Sequence, residues 1–112
     1  AVYITRAANL SNPSGAIKVL FAGYRPRDSF IKVLYRVRPT GSTDSIETFG
    51  FEFFPDSSAS VPATTENVVF RDYEYEVSGL SFDQYQIKIV FVSPNQSATP
   101  IIEDFRAIAL AV

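Results

Sequence analysis

The chain has no cysteine, no histidine and no methionine. Without Cys there are no disulfides, no thiolate nucleophile and none of the usual zinc sites. The absence of His also removes Ser-His and Cys-His nucleophile systems, histidine-ligated metals and the commonest general base. Carboxylate, Lys and Tyr chemistry is what remains. The missing Met, absent even at position 1, is what a domain cut from a longer polypeptide or a proteolytically matured chain would show; removal of an initiator Met before Ala1 explains the start as well.

Long hydrophobic runs are also missing. Lys, Arg or Asp breaks the apolar stretches well short of the roughly 20 residues of a membrane-spanning helix, so membrane insertion is not expected. No succession of basic, apolar and small residues opens the chain in the manner of a secretory signal. Charged residues make up only 20% of the chain against 46% hydrophobic and 14% aromatic, a balance that argues against disorder. A length of 112 residues suits one domain with a core of its own.

What is present reads as strands. Segments rich in β-branched and aromatic residues, bounded by Gly, Pro, Ser or Asn, run Val2 to Ala7, Ala16 to Gly23, Phe30 to Arg38, Thr48 to Phe54, Asn67 to Val77, Gln84 to Val92 and Ile101 to Leu110. In the third of these, Ile31, Val33, Tyr35 and Val37 fall on one face while Lys32, Arg36 and Arg38 fall on the other. Similar alternation in DYEYEV and around Lys88 points to half-wet strands of antiparallel sheets. No window carries three turns of helical periodicity, and the helix-compatible stretch Asp104 to Ala111 is read as the closing strand. All seven prolines fall between these strands or at their ends, where a missing amide does no harm. The expected fold is an all-β antiparallel sandwich of jelly-roll type with about seven strands, with an exposed loop from Pro55 to Glu66 (PDSSASVPATTE).

The net charge of −2 hides a segregation of sign. Residues 1 to 38 hold seven basic and one acidic side chain, and residues 39 to 112 hold three basic and eleven acidic. One explanation is a basic face of Lys18, Arg25, Arg27, Lys32, Arg36 and Arg38 that meets a polyanion, either nucleic acid or acidic polysaccharide. The favoured one is internal: Lys32, Arg36 and Arg38 face Asp72, Glu74 and Glu76 as cross-strand pairs, each contributing a few tenths of a kcal/mol up to about 1.

Glu103 with Asp104, or Glu74 with Glu76, are the carboxylate couples that glycosidase chemistry would use. Neighbours on a strand point to opposite faces, however, and Glu74 and Glu76 alternate with tyrosines as a solvated face does. Asp44, Glu47 and Asp56 lie in loops that could contribute to a structural Ca²⁺ site, but no Asp-x-Asp signature supports one, and no cofactor is expected. Phe49, Phe51, Phe53 and Phe54 suggest a sugar-stacking platform, yet the alternation of the first three favours packing into the core. The connection GYRPRDS places Tyr24, Arg25, Arg27 and Asp28 as candidate surface contacts, because Tyr and Arg are common interface anchors. Asn95-Gln96-Ser97 matches a glycosylation acceptor, a tripeptide frequent by chance.

The segments FDQYQIKIVFVSPNQSATPIIEDFRAIALAV, AGYRPRDSFIKVLYRVR and YEYEV together resemble virion structural proteins of tailed bacteriophages, especially the contractile-tailed phages of marine cyanobacteria. The residues that carry the resemblance are Tyr24, Arg25, Pro26, Ile31, Lys32, Val33 and Tyr35, then Gln86 to Val90, then Asn95, Pro100, Asp104 and Arg106 to Ala109. Pro39 to Glu66 is not covered. The resemblance implies a non-enzymatic β-sandwich module of a tail, baseplate or fibre protein, located in the virion and meeting other virion proteins or copies of itself. It leaves open a carbohydrate-binding adhesin that recognises host surface glycan and, further off, a glycan-degrading enzyme. Asp104 and Arg106 would form an ion pair or a contact to a neighbouring chain.

Overall fold

The computed structural model describes residues 2–25, 29–54, 70–92 and 100–110. Among them are eight strands, one short 3-10 turn and no α-helix. The strands are β1 (Val2–Ile4), β2 (Ala8–Ser14), β3 (Ala16–Tyr24), β4 (Phe30–Pro39), β5 (Glu52–Phe53), β6 (Arg71–Val77), β7 (Phe82–Val92) and β8 (Ile101–Leu110). They form two antiparallel sheets packed on one core, so the expected all-β sandwich is the fold, with one strand more than the sequence suggests.

Strand β7 is the spine of the five-stranded sheet. Along one side it pairs with β4, from Phe30↔Val92 to Pro39↔Phe82. Its other side is shared: β1 takes the upper half (Val2↔Val90, Ile4↔Lys88) and β2 the lower (Ala8↔Tyr85, Ser14↔Phe82). Thr5 bridges the gap, donating its N–H to the Ile87 carbonyl at 2.9 Å and accepting the Ile87 N–H on its Oγ1 at 3.0 Å. β5 pairs with the far side of β4. In the three-stranded sheet β3 lies between β6 and β8.

Alternation decides what is buried. Ile17, Val19 and Phe21 of β3 point inward and meet Val77, Tyr75 and Tyr73 of β6 directly across the ladder. Ile31, Val33 and Tyr35 of β4, with Ile87 and Ile89 of β7, face them from the other sheet. A run of rings crosses the core. Phe21 stacks on Tyr73 at 5.2 Å, Tyr75 meets Phe54 at 5.7 Å, and Phe54 meets Tyr35 at 5.0 Å. Each such ring pair contributes about 0.5–1.5 kcal/mol beyond the burial of its area.

Gly23 is where this packing leaves no room. A Cβ there would stand 2.8 Å from Cε1 and 3.0 Å from Cδ1 of Tyr73, so the backbone of β3 lies directly against the ring. Gly23→Val is therefore expected to destabilise the domain by about 1–3 kcal/mol, read as a lower denaturant midpoint. An unchanged midpoint would mean that the Tyr73 ring swings aside at no cost.

Three departures from the sequence reading have local causes. β2 (ANLSNPS) is polar and contains Pro13, and it survives because it is an edge strand, in register with β7 only at Ala8, Asn9 and Ser14. The expected strand Thr48 to Phe54 shrinks to Glu52–Phe53, because Ile46–Thr48 closes a 3-10 turn in which the Thr48 hydroxyl donates to the Ser45 carbonyl at 2.7 Å. β7 begins at Phe82, two residues before the expected start. The loop from Pro55 to Glu66 and the lead-in from Asn67 lie outside the described residues.

Candidate functional site

The expected set of cross-strand pairs, Lys32, Arg36 and Arg38 with Asp72, Glu74 and Glu76, does not form. Lys32, Arg36 and Arg38 belong to β4 in the five-stranded sheet, whereas Asp72, Glu74 and Glu76 belong to β6 in the other. The register of β6 is fixed by the apolar pairs Ile17↔Val77, Val19↔Tyr75 and Phe21↔Tyr73. Burying those side chains contributes more than exposed ion pairs of a few tenths of a kcal/mol. Among the described residues the ion pairs are Lys18–Glu74 at 3.2 Å and Arg38–Asp83 at 2.9 Å. Of the two alternatives for Asp104 and Arg106, an ion pair or a contact to a neighbouring chain, the ion pair between them does not form.

Each sheet instead turns mainly one sign of charge outward. Partners directly opposite in an antiparallel ladder share a face, which places Ile4, Lys88, Leu34 and Phe53 in one row across the outside of the five-stranded sheet. Val2, Val90 and Lys32 form the next row, and Arg36 and Gln86 lie on the other side. Arg36 is held flat: its Nε donates to Gln86 Oε1 at 2.7 Å, its Nη1 donates to the Phe49 carbonyl at 3.4 Å, and its guanidinium lies 4.4 Å from the Phe51 ring centroid. The Lys88 ammonium approaches the same ring at 5.2 Å. A cation over an aromatic face contributes about 0.5–1 kcal/mol at an exposed site.

The phenylalanines therefore do not pack as their spacing suggested. Phe54 is the one that enters the core, while Phe53 is 65% exposed and Phe49 and Phe51 are half-buried. The cause is the pairing of β5, which sets Phe53 opposite Leu34 on the outer face and turns the following residue inward.

The outer face of the three-stranded sheet is acidic. Between Leu20↔Arg106 and Ala22↔Glu103, β8 spends three residues where β3 spends two, a β-bulge. Asp104 takes the extra step at φ 56°, in the left-handed region that Asp tolerates better than most residues. Glu103 and Asp104 are thus both exposed on the outside, against the expectation that they point to opposite faces. With Asp72, Glu74 and Arg106 the bulge lines an open cavity of about 310 Å³. Among the described residues no three carboxylates are placed to hold a metal ion. Asp44 and Glu47 are exposed, and the Ser45 hydroxyl donates to Glu47, holding its carboxyl below the usual range; Asp56 lies outside the described residues.

Of the GYRPRDS connection, the described Tyr24 and Arg25 are less exposed than expected. Tyr24 is half-buried with its ring tilted against Phe70 at 6.3 Å, and Arg25 is half-buried with its guanidinium 5.7 Å from the Phe30 ring centroid. Arg27, Asp28, Pro26 and Asn95-Gln96-Ser97 lie outside the described residues. The basic face also differs in membership, since Lys18 sits on the other sheet and Lys88 replaces it. What sequence reasoning missed is apolar: Val2, Ile4, Phe30 and Val92 are 58%, 46%, 51% and 39% exposed. The signal was present in Leu34 and Val90, apolar residues in phase with Lys32 and Lys88. Comparison with models of known families, with curated proteins and with solved structures gives no match for this chain.

Proposed function

We propose that the domain is a non-enzymatic interaction module, and that its setting is the tail, baseplate or fibre of a phage virion. The observation that carries the first part is the outer face of the five-stranded sheet, where exposed Val2, Ile4 and Phe53 are interleaved with Lys32, Arg36 and Lys88. Exposed apolar groups gathered on one face and mixed with charge mark contact surfaces rather than ordinary solvated surface. Support for the setting comes from the phage-like segments, which fall on β4 and β7, the two strands that build most of this face, and on β8.

The test is mass spectrometry of purified virions from a phage encoding the chain. The chain should be present in them, and Ile4→Asp with Phe53→Asp should lower its incorporation. Absence from virions would sink the assignment. The exposed Phe53 ring favours a second reading, a carbohydrate-binding adhesin domain, because aromatic faces stack on apolar sugar faces. Binding to host-envelope glycans on an array, lost in Phe53→Ala, would select that reading instead.

A further inference from the structure

We propose that the chain stacks on copies of itself front to back, the basic outer face of one five-stranded sheet seating on the acidic outer face of the next copy's three-stranded sheet. The inference rests on the reading of the basic face as a protein contact surface, and it names the partner.

Charge complementarity within one molecule carries it. The basic face presents Lys32, Arg36 and Lys88, with Arg38 already paired to Asp83. The opposite face presents Asp72, Glu74, Glu76, Glu103 and Asp104. Among the described residues of these strands, Lys18 and Arg106 offset them there, and Lys18 is already paired to Glu74. Apolar groups accompany both signs: Ile4 and Phe53 on the first face, Ile108 on the second, with exposures of 46%, 65% and 43%.

Geometry then selects the mode. A symmetric dimer through the basic faces would oppose cations, and one through the acidic faces would oppose carboxylates, each at a cost. Front-to-back contact opposes unlike charges and puts apolar groups in the same interface. Because the two faces lie on opposite sides of one sandwich, such a contact is heterologous, and it leaves a free face at each end for the next copy. The three-stranded sheet sets the area. Strands of up to ten residues at about 3.3 Å per residue, three abreast at about 4.8 Å, give roughly 500 Å² per partner, toward the small, transient end of interfaces.

Sedimentation of the purified chain tests this. From about 10 μM to about 1 mM at low salt the weight-average mass should climb past that of a dimer, and roughly 0.5 M salt should suppress the climb. Lys32→Glu with Lys88→Glu, and separately Glu76→Lys with Glu103→Lys, should each weaken association at least about tenfold, with the fold checked by circular dichroism. Should the Lys88 change unfold the chain, Lys32→Glu with Ile4→Asp replaces that pair. An equimolar mixture of the two charge-reversed chains should associate again, because each supplies the sign the other lacks. A wild-type chain that stays monomeric throughout overturns the proposal, as does association indifferent to both reversals or a mixture that stays apart. Binding to heparin without self-association would assign the basic face to a polyanion instead. A chain that is monomeric yet present in virions refutes only the stacking and leaves the virion setting standing.

Discussion

Phe82→Ala is expected to lower stability by about 3–5 kcal/mol, the usual cost of truncating a fully buried aromatic. Phe82 is 0% exposed, and it meets Tyr85 edge-on at 6.0 Å. It also lies at the residue of β7 where β2 and β4 converge, opposite Ser14 on one side and Pro39 on the other, and both ladders shift register beside it. Its ring fills space that regular strand pairing leaves open at that end, so neighbouring backbone cannot collapse into the hole without breaking two ladders. For a domain whose whole stability is of order 5–15 kcal/mol, this loss lowers the melting temperature by roughly 15 °C. Phe53→Ala makes the contrast: at 65% exposure it should change the midpoint by no more than about 0.5 kcal/mol. Chemical denaturation of the two variants side by side checks both values. Equal effects would mean that the two phenylalanines have been assigned the wrong environments.

Alkaline pH should destabilise the domain through its tyrosines. Burial, assisted by the neighbouring Tyr73, pushes the Tyr75 hydroxyl up to about 12. Burial likewise raises Tyr35, which also faces Glu52, and it raises Tyr73 and Tyr85. Below pH 10 the folded and unfolded chains both keep these protons, and stability is unaffected. Between pH 10 and about 12 the unfolded chain releases the Tyr75 proton while the folded chain retains it, so stability falls as pH rises; above that range both forms are ionised and the slope ends. Tyr75 alone removes roughly 2–3 kcal/mol across this window, and the other three add to it. Denaturant midpoints on either side of pH 10, followed together with phenolate absorbance, measure the loss. Tyr75→Phe should flatten the dependence, and a slope unchanged by that substitution would exclude Tyr75 as its source.

These two cases show what the sequence made legible. Alternation in β4, β6 and β7 gave the inward faces correctly because each strand is buried on one side only, and the period of two then maps straight onto core and solvent. The reading failed where pairing, rather than period, decides the outcome. Phe51 and Phe53 alternate like core residues, but Phe51 lies against Arg36 and Lys88 and the short edge strand turns Phe53 outward opposite Leu34. Glu103 and Asp104 look like opposite-facing neighbours until the bulge in β8 turns both outward. Phe82 precedes the clear alternation of its strand, so its burial depends on β2 and β4 closing around it. The basic residues were visible in the sequence, but the sheet on which each one lies is a property of long-range pairing.

That same pairing bears on how the chain is made. The first two strands have no neighbour of their own in sequence: residues 2–14 must wait for residues 82–92 to provide the strand they lie against. While the ribosome is still adding the middle of the chain, β1 and β2 are unpaired, and their partner strand has yet to be synthesised. Such distant closure slows folding and lengthens the time during which unpaired strands can meet the wrong neighbour. The polar, proline-bearing sequence of β2 suits that interval, because charge-free polar residues and a missing amide make a poor template for wrong strand pairing.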